Sequence, residues 1–174
     1  MSNCSRITVD NPTEDFHYGK RVVKLKNPDL GEISGMVASR SNPGLFWVHN
    51  DSGDEPRIFL IDKELNIKMT CALASATNRD WEDIAIGPGL VEGKSYLYIG
   101  DIGDNDGGNL YKYIYVIEEP VFDGATASID LSEFRKITIE LAAMEYNVYV
   151  TWFWDLQILL FKTYKWSRSA REYY

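Results

Sequence analysis

Short apolar runs separated by polar turns dominate the chain from residue 31 to residue 74. The runs are rich in Val, Ile, Phe and Trp, and the segments between them carry Gly, Pro, Asn and Asp, as in "SNPG" after the first run and "DSGDEP" after the second. This pattern is typical of β-strands joined by tight turns. It predicts four consecutive strands of an antiparallel meander, at residues 33–40, 45–50, 57–62 and 67–74.

A second group of four runs follows with a similar layout, at residues 81–87, 95–101, 110–119 and 135–141. Each group ends an apolar run on the same signal, since "NDSGD" at 50–54 is echoed by "GDIGD" at 100–104. A repeat of about 50 residues with four strands in each unit is typical of β-propeller blades. We therefore predict an all-β fold, an incomplete β-propeller of about two to three four-stranded antiparallel blades.

The blade pattern covers residues 21–141, between a polar segment at 1–20 and an aromatic-rich segment at 142–174. The run "RVVKLK" at 21–26 predicts one further short strand. A closed propeller takes roughly four to eight blades, so the pattern is that of a truncated member of a longer architecture. Two interpretations of 142–174 stay open. It is an amphipathic element that covers the open blade, or it is sequence foreign to the fold, which the abrupt change of pattern favours.

Charge and composition narrow the classes of function. The 18 basic and 26 acidic side chains give the 174 residues a net charge of −8, which argues against a nucleic-acid partner, because phosphate backbones are bound by clustered Lys and Arg.

No apolar run reaches the length of a membrane span. The N-terminus lacks a signal-peptide pattern, so we expect a cytoplasmic chain, or an extracytoplasmic one if further sequence precedes Met1. Two cysteines, Cys4 and Cys71, are too few for a disulfide framework.

Acidic and amide side chains recur at one end of the predicted blades. In an antiparallel meander, the loop before the first strand and the loop between the second and third strands lie at the same end. These loops contribute Glu32, Ser34, His49, Asn50, Asp51 and Asp54 from the first blade, and Asp80, Glu82, Asp83, Asp101, Asp104, Asn105 and Asp106 from the second.

Ca²⁺ takes roughly six to eight oxygen ligands from carboxylates, amides, carbonyls and water, and this set of loops can supply them. We predict Ca²⁺ as the cofactor. The predicted metal ligands are Glu32, Glu82, Asp83 and Asp101. The predicted binding residues are Asn50, Asp51, Trp81, Asp104 and Asn105.

Turn chemistry is a plainer interpretation of the same residues. Asp, Asn and Gly are ordinary in hairpin turns, because Gly adopts positive φ and Asp or Asn bonds its own backbone. A repeat duplicates its turn residues whether or not they bind anything. Glu82 and Asp83 fit this interpretation less well, since they follow Trp81 and precede an apolar strand. The turn interpretation and the ligand interpretation both stay open.

Known catalytic and metal motifs are scarce. The segment that begins at Asp101 is not an EF-hand, because its twelfth position is Lys112 where a bidentate Glu is needed. His49 is the catalytic candidate, as a general base beside Asp51 or Asp54. A histidine at the end of a strand more often serves a structural hydrogen bond.

Three segments carry a resemblance to a known family: "SGMVASRSNPGLFWVHNDSGD" at 34–54, "NRDWEDIAIGPG" at 78–89 and "LYIGDIGDN" at 97–105. They resemble a family of uncharacterised β-propeller proteins, chiefly at the Trp-Glu-Asp-Ile and Gly-Asp-Ile-Gly-Asp-Asn segments. The similarity covers about residues 30–120. The family is distantly similar to phytase-like and lactonase-like propellers, in which acidic loops on one face hold calcium. The resemblance thus implies a propeller with a calcium-binding face and no specific activity.

Three hypotheses about function follow. The first is a β-propeller binding or interaction domain that takes an unknown protein, glycan or small-molecule ligand on its acidic face, with Ca²⁺. The second is a metal-dependent hydrolase of phosphoesterase or lactonase type, for which His49 is the available base. The third is a truncated gene product without activity. We rank the first ahead of the second, because only one candidate base lies on the predicted cation-binding face.

Overall fold

The computed structural model describes residues 23–105, 107–140, 146–153 and 158–165, the last two ranges as backbone only. Within these ranges the chain is all-β: it forms eleven strands and a single 3-10 turn at Pro28–Leu30, and no α-helix. No helix in these ranges has the length and apolarity to cross a membrane. The predicted polar segment at 1–20 lies outside the described residues, and residues 23–26 of the predicted strand at 21–26 are not in a strand.

The first sheet is an antiparallel meander of the first four strands. They are β1 (Ile33–Ala38), β2 (Phe46–Asn50), β3 (Arg57–Ile61) and β4 (Ile67–Leu73). All four were predicted, and the observed ends differ from the predicted ones by no more than two residues. A fifth strand, β8 (Ser128–Leu131), extends this sheet by pairing parallel to β4, with Thr70 opposite Ser128.

The second sheet repeats the meander with strands β5 (Trp81–Pro88), β6 (Ser95–Asp101), β7 (Tyr111–Glu118) and β9 (Arg135–Glu140), all antiparallel. These four strands were also predicted. Between β7 and β9 the chain crosses to the first sheet, forms β8 at its edge and returns. The crossing was not predicted, because β8 is four residues long and only partly buried.

A separate antiparallel hairpin follows in the region predicted as an atypical segment. It consists of β10 (Tyr146–Phe153) and β11 (Ile158–Lys165), paired over their full length. In the part of the chain that the structure describes, the sheets do not close into a ring. The number of blades therefore stays a prediction.

The main core lies between the two large sheets. The strands bury side chains on both faces, as β3 shows: Ile58 and Leu60 join the central core, while Phe59 and Ile61 pack in a cluster on the other side. This follows from the two-residue period of a strand. The near-continuous apolar runs of the sequence are explained by this two-sided burial.

Each meander has a β-bulge at the same place in its first strand pair. In the first sheet, Ile33 and Gly35 face the adjacent residues Asn50 and His49, which leaves Ser34 as the extra residue. In the second sheet, Trp81 and Asp83 face Asp101 and Gly100, which leaves Glu82 as the extra residue. A bulge changes the direction in which its residues point, and these two bulges lie at the end of the strands that carries the acidic loops.

Glu119 ties the two sheets together at the opposite end. Its carboxylate accepts four hydrogen bonds of 2.6–3.0 Å from the loop after β1. Two come from the hydroxyls of Ser39 and Ser41, and two from the backbone N–H groups of Arg40 and Ser41. The indole Nε1 of Trp47 donates a further bond of 3.0 Å. Burial raises the pKa of Glu119, but these hydrogen bonds together outweigh it and hold the pKa below its ordinary value.

Candidate functional site

Three carboxylates meet at the end of the sheets opposite Glu119. Asp51 follows β2, Asp80 precedes β5, and Glu82 is the bulged residue of β5. One carboxylate oxygen from each of the three lies within 4.8 Å of the others. We call these three residues the acidic cluster. The antiparallel order explains the meeting, because β2 ends where β5 begins and the first strands of the two sheets pack side by side.

Asp51 is held by backbone contacts from both sheets. Its N–H donates to the Glu32 carbonyl at 2.9 Å, and its own carbonyl accepts a 2.9 Å bond from the side-chain amide of Asn78. Its carboxylate accepts from the N–H of Ser52 at 2.6 Å. The β2–β3 loop of the first sheet is in this way anchored to the segment that leads into β5.

Asp80 is the buried member of the cluster, with 6% of its surface exposed. Its N–H donates to the Asp101 carboxylate at 3.0 Å, and its carbonyl accepts from the N–H of Gly103 at 3.0 Å. The Oδ1 atom of its carboxylate is buried and has no hydrogen-bond partner in the described residues. A buried carboxylate oxygen without a partner is costly in free energy, and either protonation of the carboxyl or a bound cation offsets that cost.

Gly103 lies against two members of the cluster. A β-carbon at this position would lie 2.3 Å from the Asp80 carboxyl carbon and 2.6 Å from Oε1 of Glu82. No side chain larger than hydrogen fits there while Asp80 and Glu82 keep their positions. The glycine is therefore required by close approach to the two carboxylates.

Two basic side chains support the loops around the cluster from behind. Nε of Arg79 lies 3.1 Å from Oδ2 of Asp101. The ammonium of Lys112 is fully buried; it lies 3.0 Å from Oδ2 of Asp104 and donates to the Gly103 carbonyl at 3.1 Å. Both cations are thus engaged with groups outside the acidic cluster.

The electrostatics of the cluster disfavour three simultaneous negative charges. Burial raises the pKa of Asp80, and the neighbouring Asp51 carboxylate raises it further. Burial likewise raises the pKa of Glu82, and the negative charges of Asp51 and Asp80 raise it further. The positive charge of Lys112 lowers it. Like charges at this distance oppose ionisation, so the cluster is suited to a cation that neutralises them.

The donor set fits a hard divalent cation. All three ligands are carboxylate oxygens, which suit Ca²⁺ or Mg²⁺, and no sulfur or imidazole takes part. Oxygens within 4.8 Å of one another can be bridged by two Ca–O bonds of about 2.3–2.6 Å. The three carboxylates therefore lie within ion-binding distance of one another.

Of the four predicted metal ligands, one belongs to the acidic cluster and three lie outside it. Glu82 lies in the cluster. Asp101 lies behind it and is fully buried; its carboxylate accepts hydrogen bonds from Nε of Arg79 and from the N–H of Asp80. Asp83 accepts a hydrogen bond from the N–H of Ile84, and burial raises its pKa. Glu32 contributes its carbonyl to Asp51, and its side chain is exposed.

The predicted binding residues divide in the same way. Asp51 lies in the cluster, and the amide of Asn105 lies 3.5 Å from Oδ2 of Asp80. The side chain of Asn50 donates to the Asp29 carbonyl and to Asp54, and Asp104 pairs with Lys112. Trp81 is fully buried in the central core. Asp106 lies outside the described residues.

His49, the predicted base, is fully buried. Its Nδ1 donates to the Asn50 carbonyl at 2.9 Å, and its ring lies edge-on to Trp81, with ring centres 5.7 Å apart. Burial lowers its pKa, so the imidazole is neutral near pH 7. Its Nε2 has no hydrogen-bond partner among the described residues and packs against Gly35.

Sequence reasoning placed Asp80 on this face without selecting it as a ligand, and it missed the roles of Gly103 and Lys112. Asp80 comes before the strand that carries Glu82, and the bulge at Glu82 brings the two carboxylates together. A bulge of this kind is not visible in the hydrophobic pattern. Gly103 looked like a turn glycine because it repeats Gly53.

Comparisons with protein-family models, with curated proteins and with solved structures find no match to this chain.

Proposed function

We propose that this chain is a ligand-binding domain of β-propeller type that holds a Ca²⁺ ion in the acidic cluster. One observation carries the proposal: the buried Oδ1 of Asp80 has no hydrogen-bond partner in the described residues, in a carboxyl that also contributes to the cluster with Asp51 and Glu82. An ion bound in the cluster is ligated by the Asp80 carboxylate and offsets the repulsion among the three carboxylates. Calcium suits the site because all the donors are oxygens.

The propeller assignment is supported by the two large sheets. Each contains a four-stranded antiparallel meander, the bulges fall at equivalent positions, and the sheets pack face to face. Strands such as β3 bury both faces, as blades between neighbours do. Binding ranks ahead of phosphoesterase or lactonase activity because His49, the candidate base, is fully buried and is engaged with the Asn50 carbonyl.

Calorimetric titration of the full chain with CaCl₂, after treatment with EDTA, tests the proposal. We expect one binding event for the parent protein and at least tenfold weaker binding for Asp51→Asn/Glu82→Gln. The control is Glu92→Gln. Glu92 is exposed in the β5–β6 turn, at the other end of those strands, so we expect this variant to bind Ca²⁺ as the parent does. Absence of heat from the folded parent protein would overturn the proposed function.

A further inference from the structure

We propose that the cation in the acidic cluster binds vicinal hydroxyl groups of a carbohydrate, an inference that rests on the proposed Ca²⁺ site. Three features of the cluster favour this ligand class: its open coordination positions, its charge, and the hydrogen-bonding capacity of the groups around it.

The cluster leaves part of the coordination sphere free. Ca²⁺ takes roughly six to eight oxygens, whereas the cluster brings together one carboxylate oxygen from each of three residues. Asp80 is buried, but Glu82 is exposed to solvent. The free positions therefore lie on the side of Glu82, where a ligand can reach them from solution.

The charge of the site disfavours an anionic ligand. Three ionised carboxylates and one divalent cation leave a net charge of −1. The two nearby cations each come with an acidic partner outside the cluster, since Arg79 is paired with Asp101 and Lys112 with Asp104. A phosphate or carboxylate ligand would bring further negative charge beside Asp51 and Glu82, whereas a hydroxyl brings none.

Hydroxyl groups also match the hydrogen-bonding character of the cluster. A hydroxyl oxygen can bind a cation through a lone pair while its proton is donated to a carboxylate. The ligating carboxylates provide such acceptors next to the ion, and the exposed side chain of Asn105, 3.5 Å from Asp80, adds an amide that donates and accepts. Two hydroxyls on adjacent carbons can occupy neighbouring coordination positions, which is the arrangement found in sugars.

Saturation-transfer NMR measures the binding of methyl α-mannopyranoside and of methyl β-galactopyranoside to the full chain. The two glycosides differ in the geometry of their vicinal hydroxyls. We expect at least one glycoside to bind in the presence of Ca²⁺, with a dissociation constant on the order of 1 mM. Binding should be lost with EDTA, with Asp51→Asn/Glu82→Gln, and with the glycoside whose ring hydroxyls are methylated. Glu92→Gln should retain it.

The competing ligand class is tested with methyl phosphate and acetate in the same buffer. If either anion binds tenfold more tightly than both glycosides in a Ca²⁺-dependent manner, the carbohydrate proposal is wrong. Binding of Ca²⁺ with no binding of either glycoside also overturns it, and in that case the cation site stands. If calorimetry detects no Ca²⁺ binding, the proposed function and the inference fall together.

Discussion

Gly103 and Asp80 lie so close together that a β-carbon on Gly103 would be 2.3 Å from the carboxyl carbon of Asp80. The N–H of Gly103 donates to the Asp80 carbonyl, and the carbonyl of Gly103 accepts a hydrogen bond from the side-chain ammonium of Lys112. The position of the cluster carboxylate therefore depends on the absence of a side chain at residue 103.

Gly103→Ala is expected to displace the carboxylates without changing the charge of the site. We expect Ca²⁺ affinity to fall at least tenfold, because Asp80 and Glu82 must both move, and the free energy of unfolding in EDTA to fall by about 1–3 kcal/mol. Calorimetry and urea unfolding measure the two effects. Unchanged affinity in the folded variant would show that the cluster is not the ion site.

The matched control for that substitution is Gly108→Ala in the same loop. A β-carbon on Gly108 meets no atom within 4 Å in the described structure, and its φ lies outside the left-handed region. We expect this variant to bind Ca²⁺ as the parent does and to be stabilised by about 0.4–1 kcal/mol through the unfolded chain.

Asp80→Asn is expected to weaken Ca²⁺ binding and to raise the free energy of unfolding of the ion-free protein. In EDTA the variant should be more stable than the parent by about 1 kcal/mol, because it removes the repulsion from Asp51 and Glu82 and the burial of a charge at residue 80. Adding Ca²⁺ should stabilise the parent and leave the variant unchanged. Urea unfolding with and without Ca²⁺ checks both points. An EDTA-treated variant less stable than the EDTA-treated parent contradicts the account.

The strands of both meanders could be predicted from the sequence, because each is a short apolar run bounded by turn residues. β8 could not, since its residues are only partly buried and it pairs in parallel at an edge. Its pairing with β4 depends on the crossing of the chain from one sheet to the other. That crossing is a long-range contact, which local periodicity does not encode.

The repeated Asp-x-Gly-Asp segment correctly predicts that the two loops lie at the same end of the sheets. It does not predict the role of each residue, because equivalent positions in the two loops differ. Gly53 has φ of +89° and open space around it, so it is a turn glycine. Gly103 has an ordinary φ and is required by close approach to Asp80. In the strand pairing, Asp101 corresponds to Asn50 and not to Asp51, because the bulges fix the register.

Glu119→Gln is expected to weaken the tie between the sheets in a pH-dependent way. Because the folded-state pKa of Glu119 is below 4.5, its contribution is fully present above that value and is lost as the pH falls through the folded pKa. At pH 7 the variant should be less stable than the parent by about 1.5–3 kcal/mol. The difference should shrink as the pH is lowered below about 4. Urea unfolding of both proteins across this range measures it, and a gap that grows in acid would refute it.

Cys71 is expected to be unreactive in the folded protein. It is fully buried in the central core, and burial raises the pKa of its thiol to about 12, so almost no thiolate is present at pH 8. In a Cys4→Ser background, a thiol-specific disulfide reagent should modify the protein only as fast as it unfolds, and at once in denaturing urea. Rapid modification of the folded variant would show that this part of the core opens to solvent.

Lys112 and Asp104 are expected to behave as a coupled buried pair. Lys112→Met leaves the Asp104 carboxylate and the Gly103 carbonyl without their buried donor, so we expect a loss of about 3–5 kcal/mol in the free energy of unfolding. Asp104→Asn alone leaves the ammonium of Lys112 without a counter-charge. The double variant should be more stable than the sum of the single effects predicts, with a coupling of about 1–3 kcal/mol. Urea unfolding of the four proteins in EDTA gives this value. Simple additivity would mean that the ion pair does not hold the Gly103 turn in place.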